Sequence, residues 1–371
     1  MPETFLWYDL ETFGKNCRTT RISQFAGIPT DMPLNPVVEP LSFYCRPSQD
    51  FLPGPEAELI TGITPQFASQ HGLCEAEFMA RVHEQLSEPG TCALGYNSIR
   101  FDDEFIRFSL YRNFYDAYER EYAGGNSRWD LLDVMRMMYA VCPDALHWPL
   151  RDDGQPSFKL EHLAKANGCF EGEAHEALSD VRSLINIARK VRAAAPKLWQ
   201  HCLDLRDKNK VAGKLALHKN QRILHVSGQF PTAQACTGLM LPLMPHPLIK
   251  TRTLAVELRP EALKLIDYTA EQIERNIFTK TSQMPEGETR IGLKEIHHNR
   301  CPILFEPDDA KALGLKLDMA HLCIDLKQAR EIHAQLNAAA ESIMHKLAKV
   351  FAKQRDFDNS DPDGALYSGF F

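Results

Sequence analysis

Residues 5–14 read FLWYDLETFG, and the two carboxylates in that run govern how the rest of the chain is read. Phe5, Leu6, Trp7 and Tyr8 are good strand formers. Side chains two apart on a strand point to the same face, so Asp9 and Glu11 project side by side near the strand's C-terminal end. Two like charges that close repel unless a cation lies between them. Hard divalent cations such as Mg²⁺ take carboxylate oxygens. An ordinary acidic turn after a strand has the same local sequence, so the rest of the chain has to choose.

The 371 residues leave room for two or three domains, with the apolar and charged fractions of a soluble globular protein. No run approaches the roughly 18 apolar residues of a membrane helix. The first strand begins almost at residue 1, which predicts a chain without a signal peptide. Ten scattered cysteines with no CxxC pair predict reduced thiols in a cytoplasmic protein, not disulfides or zinc. The net charge of −7 does not by itself suggest a nucleic-acid partner. Charge is unevenly spread, however. Arg189, Lys190, Arg192, Lys197, Arg206, Lys208, Lys210, Lys214, Lys219 and Arg222 are opposed within 187–222 only by Asp204 and Asp207. Such a stretch is either a solvated helix face with a linker or a surface that tracks phosphates.

Working outward, a Thr- and Arg-rich loop is expected after the first strand, then PVVEPLSFYCRP as a second strand closed by prolines. LITGITPQ reads as a turn leading to a helix, and EAEFMARVHEQLS places Phe78, Val82 and Leu86 on one helical face. TCALGYN reads as a short buried strand. Helices are expected in DDEFIRFSLYRNFYD, WDLLDVMRMMYAVC and FKLEHLAKANG, the last stopped by Gly168. Ala177, Val181, Leu184, Ala188 and Val191 form an apolar stripe along EAHEALSDVRSLINIARKVRAA, an amphipathic helix. Residues 1–195 therefore read as one α/β domain with a mixed sheet. Beyond about residue 200 the texture changes. RILHVSGQF, TLAVEL and CPILF look like short strands between Pro-rich loops, with a helical segment between Pro260 and Asn276. A small β-barrel-like domain with a helical insert fits residues 196–350. Helix is expected again from Asp318 to Lys353, and DFDNSDPDGALYSGFF ends the chain.

Two further segments bear on the opening pair of acids. In GYNSIRFDDEFI a strand ends in a turn, and Asp102 and Asp103 follow at a helix start, where an acid is often only a cap. In AHEALSD, His175 precedes Asp180, which falls near the core-facing stripe of its helix and needs a partner. Together these residues match what phosphodiester hydrolysis requires. Two metals roughly 3.5–4 Å apart clamp the attacking and leaving oxygens. A neutral imidazole takes the proton from the attacking water.

DLET, NSIRFDDEF and HEALSD resemble the DEDDh group of 3′→5′ exonucleases, the proofreading-exonuclease superfamily. RISQFAGIPTD, LITGITPQ, GYNSIRFDDEFIRFSLYRNFYDAY, NSRWDLLDVMR, PSFKLEHLAKANG and HVSG are similar to the bacterial exodeoxyribonuclease I family, over essentially the whole chain. The resemblance implies a ribonuclease H-like exonuclease domain followed by an SH3-like domain, with 351–371 as the start of a helical C-terminal region that is otherwise absent. It implies two Mg²⁺ ions, with Mn²⁺ as a substitute, held by Asp9, Glu11 and Asp180. Asp102 completes the acidic set and His175 is the general base. The implied substrate is single-stranded DNA, degraded from its 3′ end to 5′-mononucleotides in repair and recombination. The strand contacts it implies are Glu11, Arg107, Tyr118, Arg136, Phe158, Lys159 and Lys208. Lys159 stands where the family usually has Arg, which keeps the point charge but loses the bidentate fork. The implied partner is single-strand DNA-binding protein, although Cys142 stands where a basic residue for its acidic tail is expected. The chain is expected to be a monomer with no membrane partner. A 3′→5′ exoribonuclease, a non-catalytic nucleic-acid-binding module and a small-molecule phosphoesterase are the alternatives.

Overall fold

The computed structural model describes residues 4–172 and 176–352. Its contacts divide these into two units, one of residues 4–132, 146–172 and 176–195, the other of residues 133–145 and 196–352.

The first unit is built on β1 (Thr4–Thr12), β2 (Ile22–Thr30), β3 (Leu41–Tyr44), β4 (Thr91–Gly95) and β5 (Ser127–Asp130), joined in the order β3-β2-β1-β4-β5. β1 runs parallel to β4 and antiparallel to β2, so the sheet is mixed. The helices between are α1 (Pro55–Thr61), α2 (Pro65–His71), α3 (Glu75–Ser87) and α4 (Asp102–Arg112). After β5 comes α5 (Leu131–Val141), which from Asp133 on belongs to the second unit, and then α6 (Leu160–Ala166) and α7 (Ala177–Ala194) of the first. Leu6, Tyr8 and Leu10 alternate onto one face of β1 and pack with Phe78, Val82 and Leu86 of α3 and Phe105 and Ile106 of α4. α7 packs on β1 and β2 through the stripe seen in the sequence, with Ala177, Val181, Leu184, Ala188 and Val191 all buried.

Two expectations are corrected here. RISQFAGIPTD is not a loop: Ile22–Thr30 is β2, the strand next to β1, and Leu41–Tyr44 is the third strand. β2 is buried on both faces, so it lacks the alternation that marks a half-exposed strand. Its Pro29 lies beyond the residues that pair with β3 and so breaks no bond on that side. Trp129 and Asp130 belong to β5, parallel to β4, and the helix starts at Leu131.

The second unit opens with α8 (Pro196–Asp204) and α9 (Lys208–Lys214). Its strands are β6 (Ile223–Val226), β7 (Thr237–Pro245), β8 (Arg252–Glu257), β9 (Leu293–His297) and β10 (Ile303–Phe305), in the antiparallel order β10-β6-β7-β8-β9. α10 (Lys264–Asp267) and α11 (Ala270–Phe278) form the insert between β8 and β9, and a Thr269–Gln272 capping box starts α11. α12 (Pro307–Leu313), α13 (Leu326–Ala338) and α14 (Ala340–Phe351) follow. Adjacent β7 residues feed opposite cores: Met240 packs with Val211 and Leu215, and Leu241 with Ile332, Leu336 and Leu347. β7 and β9 were read in the sequence as Pro-rich loop. Pro242 is tolerated because β6 pairs only Thr237–Met240 and a bulge with β8 falls between Pro242 and Met244. No described helix is long and apolar enough to cross a membrane.

Candidate active site

Asp9 and Glu11 leave β1 on the face opposite Leu10, and Asp180 reaches them from the first turn of α7. One ligand oxygen from each of the three lies within 4.8 Å of the others, the only such metal-holding group among the described residues. All three are half-buried. Burial pushes the Asp9 carboxyl well above its usual range, and Asp102, Glu11 and Asp180 push it further. Burial, then Asp180, raises Glu11 to about 8. Among the described residues no basic side chain pairs with Asp9 or Glu11. Crowded oxygens that resist ionising together are what a divalent cation relieves, so this donor set fits Mg²⁺ or Mn²⁺.

Asp102 is the first residue of α4 and is 4% exposed. Its Oδ1 accepts the Leu10 backbone N–H at 3.1 Å, directly between the other two acids of β1. Burial, then its neighbour Asp103, raises its carboxyl well above the ordinary range. Asp103 turns away from the cluster, accepting from the Tyr8 hydroxyl at 2.8 Å and from Arg120 and Arg128 at 2.6 Å each. His175 lies outside the described residues.

Two residues that sequence reasoning missed shape the turn ahead of Asp102. Asp130, at the end of β5, accepts from the backbone N–H groups of Asn97 at 2.9 Å, Ile99 at 3.2 Å and Leu132 at 2.9 Å. Asn97 has a φ of +65°, a conformation Asn tolerates better than most residues. The Tyr96 hydroxyl donates to the Phe158 carbonyl and so ties the PSFKLEHL segment to this turn. A lone Asp at a helix start carries no signal that distinguishes such a bracket from a cap.

The expected strand contacts fall into different environments. Lys159 is exposed at the N-cap of α6, and Phe158 beside it is half-buried with its ring 5.9 Å from that of Trp148. Tyr118 is 48% exposed, and the Arg107 guanidinium lies 4.9 Å from its ring centroid. Arg107, expected as a strand contact, is 5% exposed and paired to Glu104 at 2.6 Å and Glu121 at 2.8 Å. Its carboxylate partners are local, and its guanidinium packs against the Tyr118 ring. Arg136 bonds Asp133 at 2.6 Å in the second unit and lies so close to Gly228 of HVSG that a Cβ there would meet the guanidinium at 2.6 Å. Lys208 is exposed at the first turn of α9 and ion-pairs with no described residue. The basic stretch is less open than its sequence suggests. Asp204 pairs with Lys210 at 3.2 Å, while Asp309 and Glu306, remote in sequence, each take Lys214 and Lys219 respectively at 2.6 Å.

This fold and acidic set define an exonuclease: the family model described as Exonuclease matches residues 6–188, and that described as Exonuclease I SH3-like domain matches residues 206–353. Exodeoxyribonuclease I of Escherichia coli strain K12 is 40% identical over 374 residues, covering 99% of this chain and 76% of the relative. The crystal structure of E. coli exonuclease I in complex with a dA16 oligonucleotide superposes with a TM-score of 0.91 at 38% identity, over 99% of this chain and 78% of the other. The zinc-ion-bound form of an E. coli exonuclease I–ssDNA complex gives 0.89 at 38% identity, over 99% and 77%. The chain belongs to the exodeoxyribonuclease I family, and is a hydrolase.

Proposed function

We propose that this chain is a Mg²⁺-dependent 3′→5′ exonuclease on single-stranded DNA that releases 5′-mononucleotides, with a role in DNA repair and recombination. The convergence of Asp9, Glu11 and Asp180 within 4.8 Å carries the reading. When bound there, two divalent ions, Mg²⁺ or Mn²⁺, supply charge stabilisation at the attacking and leaving oxygens. Asp9, Glu11 and Asp180 would hold the ions, and Glu11 would also contact the substrate. Asp102 completes the acidic set from the open edge of β1, where it accepts the Leu10 N–H. His175 takes the proton from the attacking water. Lys159 offers a phosphate contact, and Tyr118 and Phe158 offer faces on which unpaired bases stack, with Arg107 behind Tyr118. Lys208 and Arg136 are the second unit's contacts. Residues 1–195 form the exonuclease domain and 196–350 the SH3-like domain; the expected helical start at 351–371 lies, from residue 353 on, outside the described residues. The protein acts as a cytoplasmic monomer, and single-strand DNA-binding protein is its partner.

The relatives seen with bound oligonucleotides support DNA as the substrate. The acids alone do not separate it from RNA, since discrimination depends on contacts at the 2′ position. A digest of 5′-labelled single-stranded DNA and RNA, with Mg²⁺ and then with EDTA, tests the reading. A ladder shortening from the 3′ end of DNA only, abolished by EDTA, is expected. Cleavage of RNA alone would establish the exoribonuclease, and binding without cleavage a docking module.

A further inference from the structure

We propose that Asp103, ion-paired to Arg120 and Arg128 and gripped by the Tyr8 hydroxyl, is a positioning residue of the active site: it locks the first turn of α4 onto β1 and so sets the spacing of the catalytic acids. The inference rests on the site assignment above. β1 pairs with β4 only from Thr4 to Trp7. Beyond Trp7 that edge of β1 has no strand partner, although this is where Asp9 and Glu11 sit. Asp102 of α4 takes the place of the strand at Leu10, and the adjacent Asp103 anchors the same turn to the Tyr8 side chain. Asp102 accepts the Leu10 N–H at 3.1 Å, and Asp103 accepts the Tyr8 hydroxyl at 2.8 Å. Tyr8 and Leu10 point into the core while Asp9 and Glu11 point the other way. Holding the inward pair therefore fixes the pitch of the outward pair.

Asp103 is itself held rigidly. Its side chain is 1% exposed, and Arg120 and Arg128 each approach it at 2.6 Å. Burial pushes its carboxyl upward, but the two guanidiniums more than offset this and hold it well below the usual range. Glu121 joins Arg128 at 3.0 Å and Arg107 at 2.8 Å, and Glu104 joins Arg107 at 2.6 Å. Three acids and three arginines thus balance inside one unit. Arg120 leaves Nε and Nη1 buried without hydrogen bonds. A buried ion pair with unsatisfied donors is a poor source of stability, and apolar residues of the same volume often serve as well. Its placement beside the catalytic strand gives it a use that stability does not.

The test compares the intact chain with Tyr8→Phe, which removes one hydroxyl and keeps the ring, and with Asp103→Asn. Single-turnover cleavage of a single-stranded oligonucleotide and calorimetric titration with Mn²⁺ are both read. Tyr8→Phe should lower kcat by about tenfold, within the range of a sub-ångström to 1 Å misplacement, while KM stays within about twofold. Mn²⁺ should bind it more weakly. Asp103→Asn should lose more on both readouts. Unchanged kcat and Mn²⁺ affinity in both variants, with only a lower Tm, would overturn the proposal. Should Asp103→Asn fail to fold, Tyr8→Phe decides alone. Should the unmodified chain cleave nothing, the assignment of function fails, and the Mn²⁺ titration still reads the positioning.

Discussion

At Asp180 the expected outcome of an isosteric change is sharp. Asp180→Asn removes one anionic ligand from the cluster, so turnover should vanish while strand binding, measured by fluorescence anisotropy, stays largely intact. Retained cleavage would refute the metal assignment. His175→Ala should slow the chemical step by roughly 10² to 10⁴-fold in single-turnover assays, the usual size of general-base catalysis. Glu11 predicts a pH dependence. Its folded carboxyl, raised to about 8, keeps a proton that the unfolded chain releases near the ordinary value of about 4.3. Between those values the folded state binds more protons, so stability falls as pH rises. In EDTA the Tm should therefore decline from about pH 5 to 8, and Mg²⁺ should cancel the decline. His297, pushed down to about 4 by burial, acts in the opposite sense below about pH 6.5. Glu11→Gln isolates the effect, and should flatten the fall relative to the unmodified chain. Asp102, which reads locally as a helix cap, stood out only through the family resemblance, but strand alternation and helix periodicity made the facing of Asp9, Glu11 and Asp180 legible in the sequence. The division of labour between Asp102 and Asp103 was not, because it depends on Arg120 and Arg128, which nothing in FDDEF announces.

Among the elements, the close approach of β1 and β4 is a tight constraint near the site. A Cβ at Gly95 would lie 2.8 Å from the Tyr8 carbonyl oxygen and 2.9 Å from Ser98 Cβ. Neither the β1 backbone nor the bracketed turn has room to yield. Gly95→Ala should therefore destabilise the chain by about 1–3 kcal/mol in denaturant unfolding, the size of an overpacked core position. A stability within about 0.5 kcal/mol of the unmodified chain would show that the turn relaxes freely. The helices were more legible than the strands. α3 and α7 carry apolar stripes that only a helix can place on one face. β2 and β7 carry no such mark: one is buried on both faces, and the other contains prolines that only a missing partner or a bulge can accommodate.

For the molecule as a whole, the question is how a chain of net charge −7 engages a polyanion. Three of the ten basic residues, Lys210, Lys214 and Lys219, are paired to Asp204, Asp309 and Glu306, while Lys208 is an exposed charge on α9. Lys208→Gln should weaken single-stranded DNA binding, and lower the slope of log affinity against log salt by about 0.7, one phosphate contact on a single strand. An unchanged slope would place Lys208 in open solvent.

The sequence by itself determined the exonuclease class, the shared face of Asp9 and Glu11, the order of the two domains and the long amphipathic helices. These depend on local periodicity and on motif phrases that survive without knowledge of neighbours. Only the tertiary structure decided that β2 lies beside β1, that Asp102 substitutes for a missing strand at Leu10, and that Asp103 belongs to a buried ion network. It alone showed which lysines of the basic stretch are ion-paired within the chain. Each of these is a pairing between residues tens of positions apart, and electrostatic and hydrogen-bond partners are chosen by distance in space rather than in sequence.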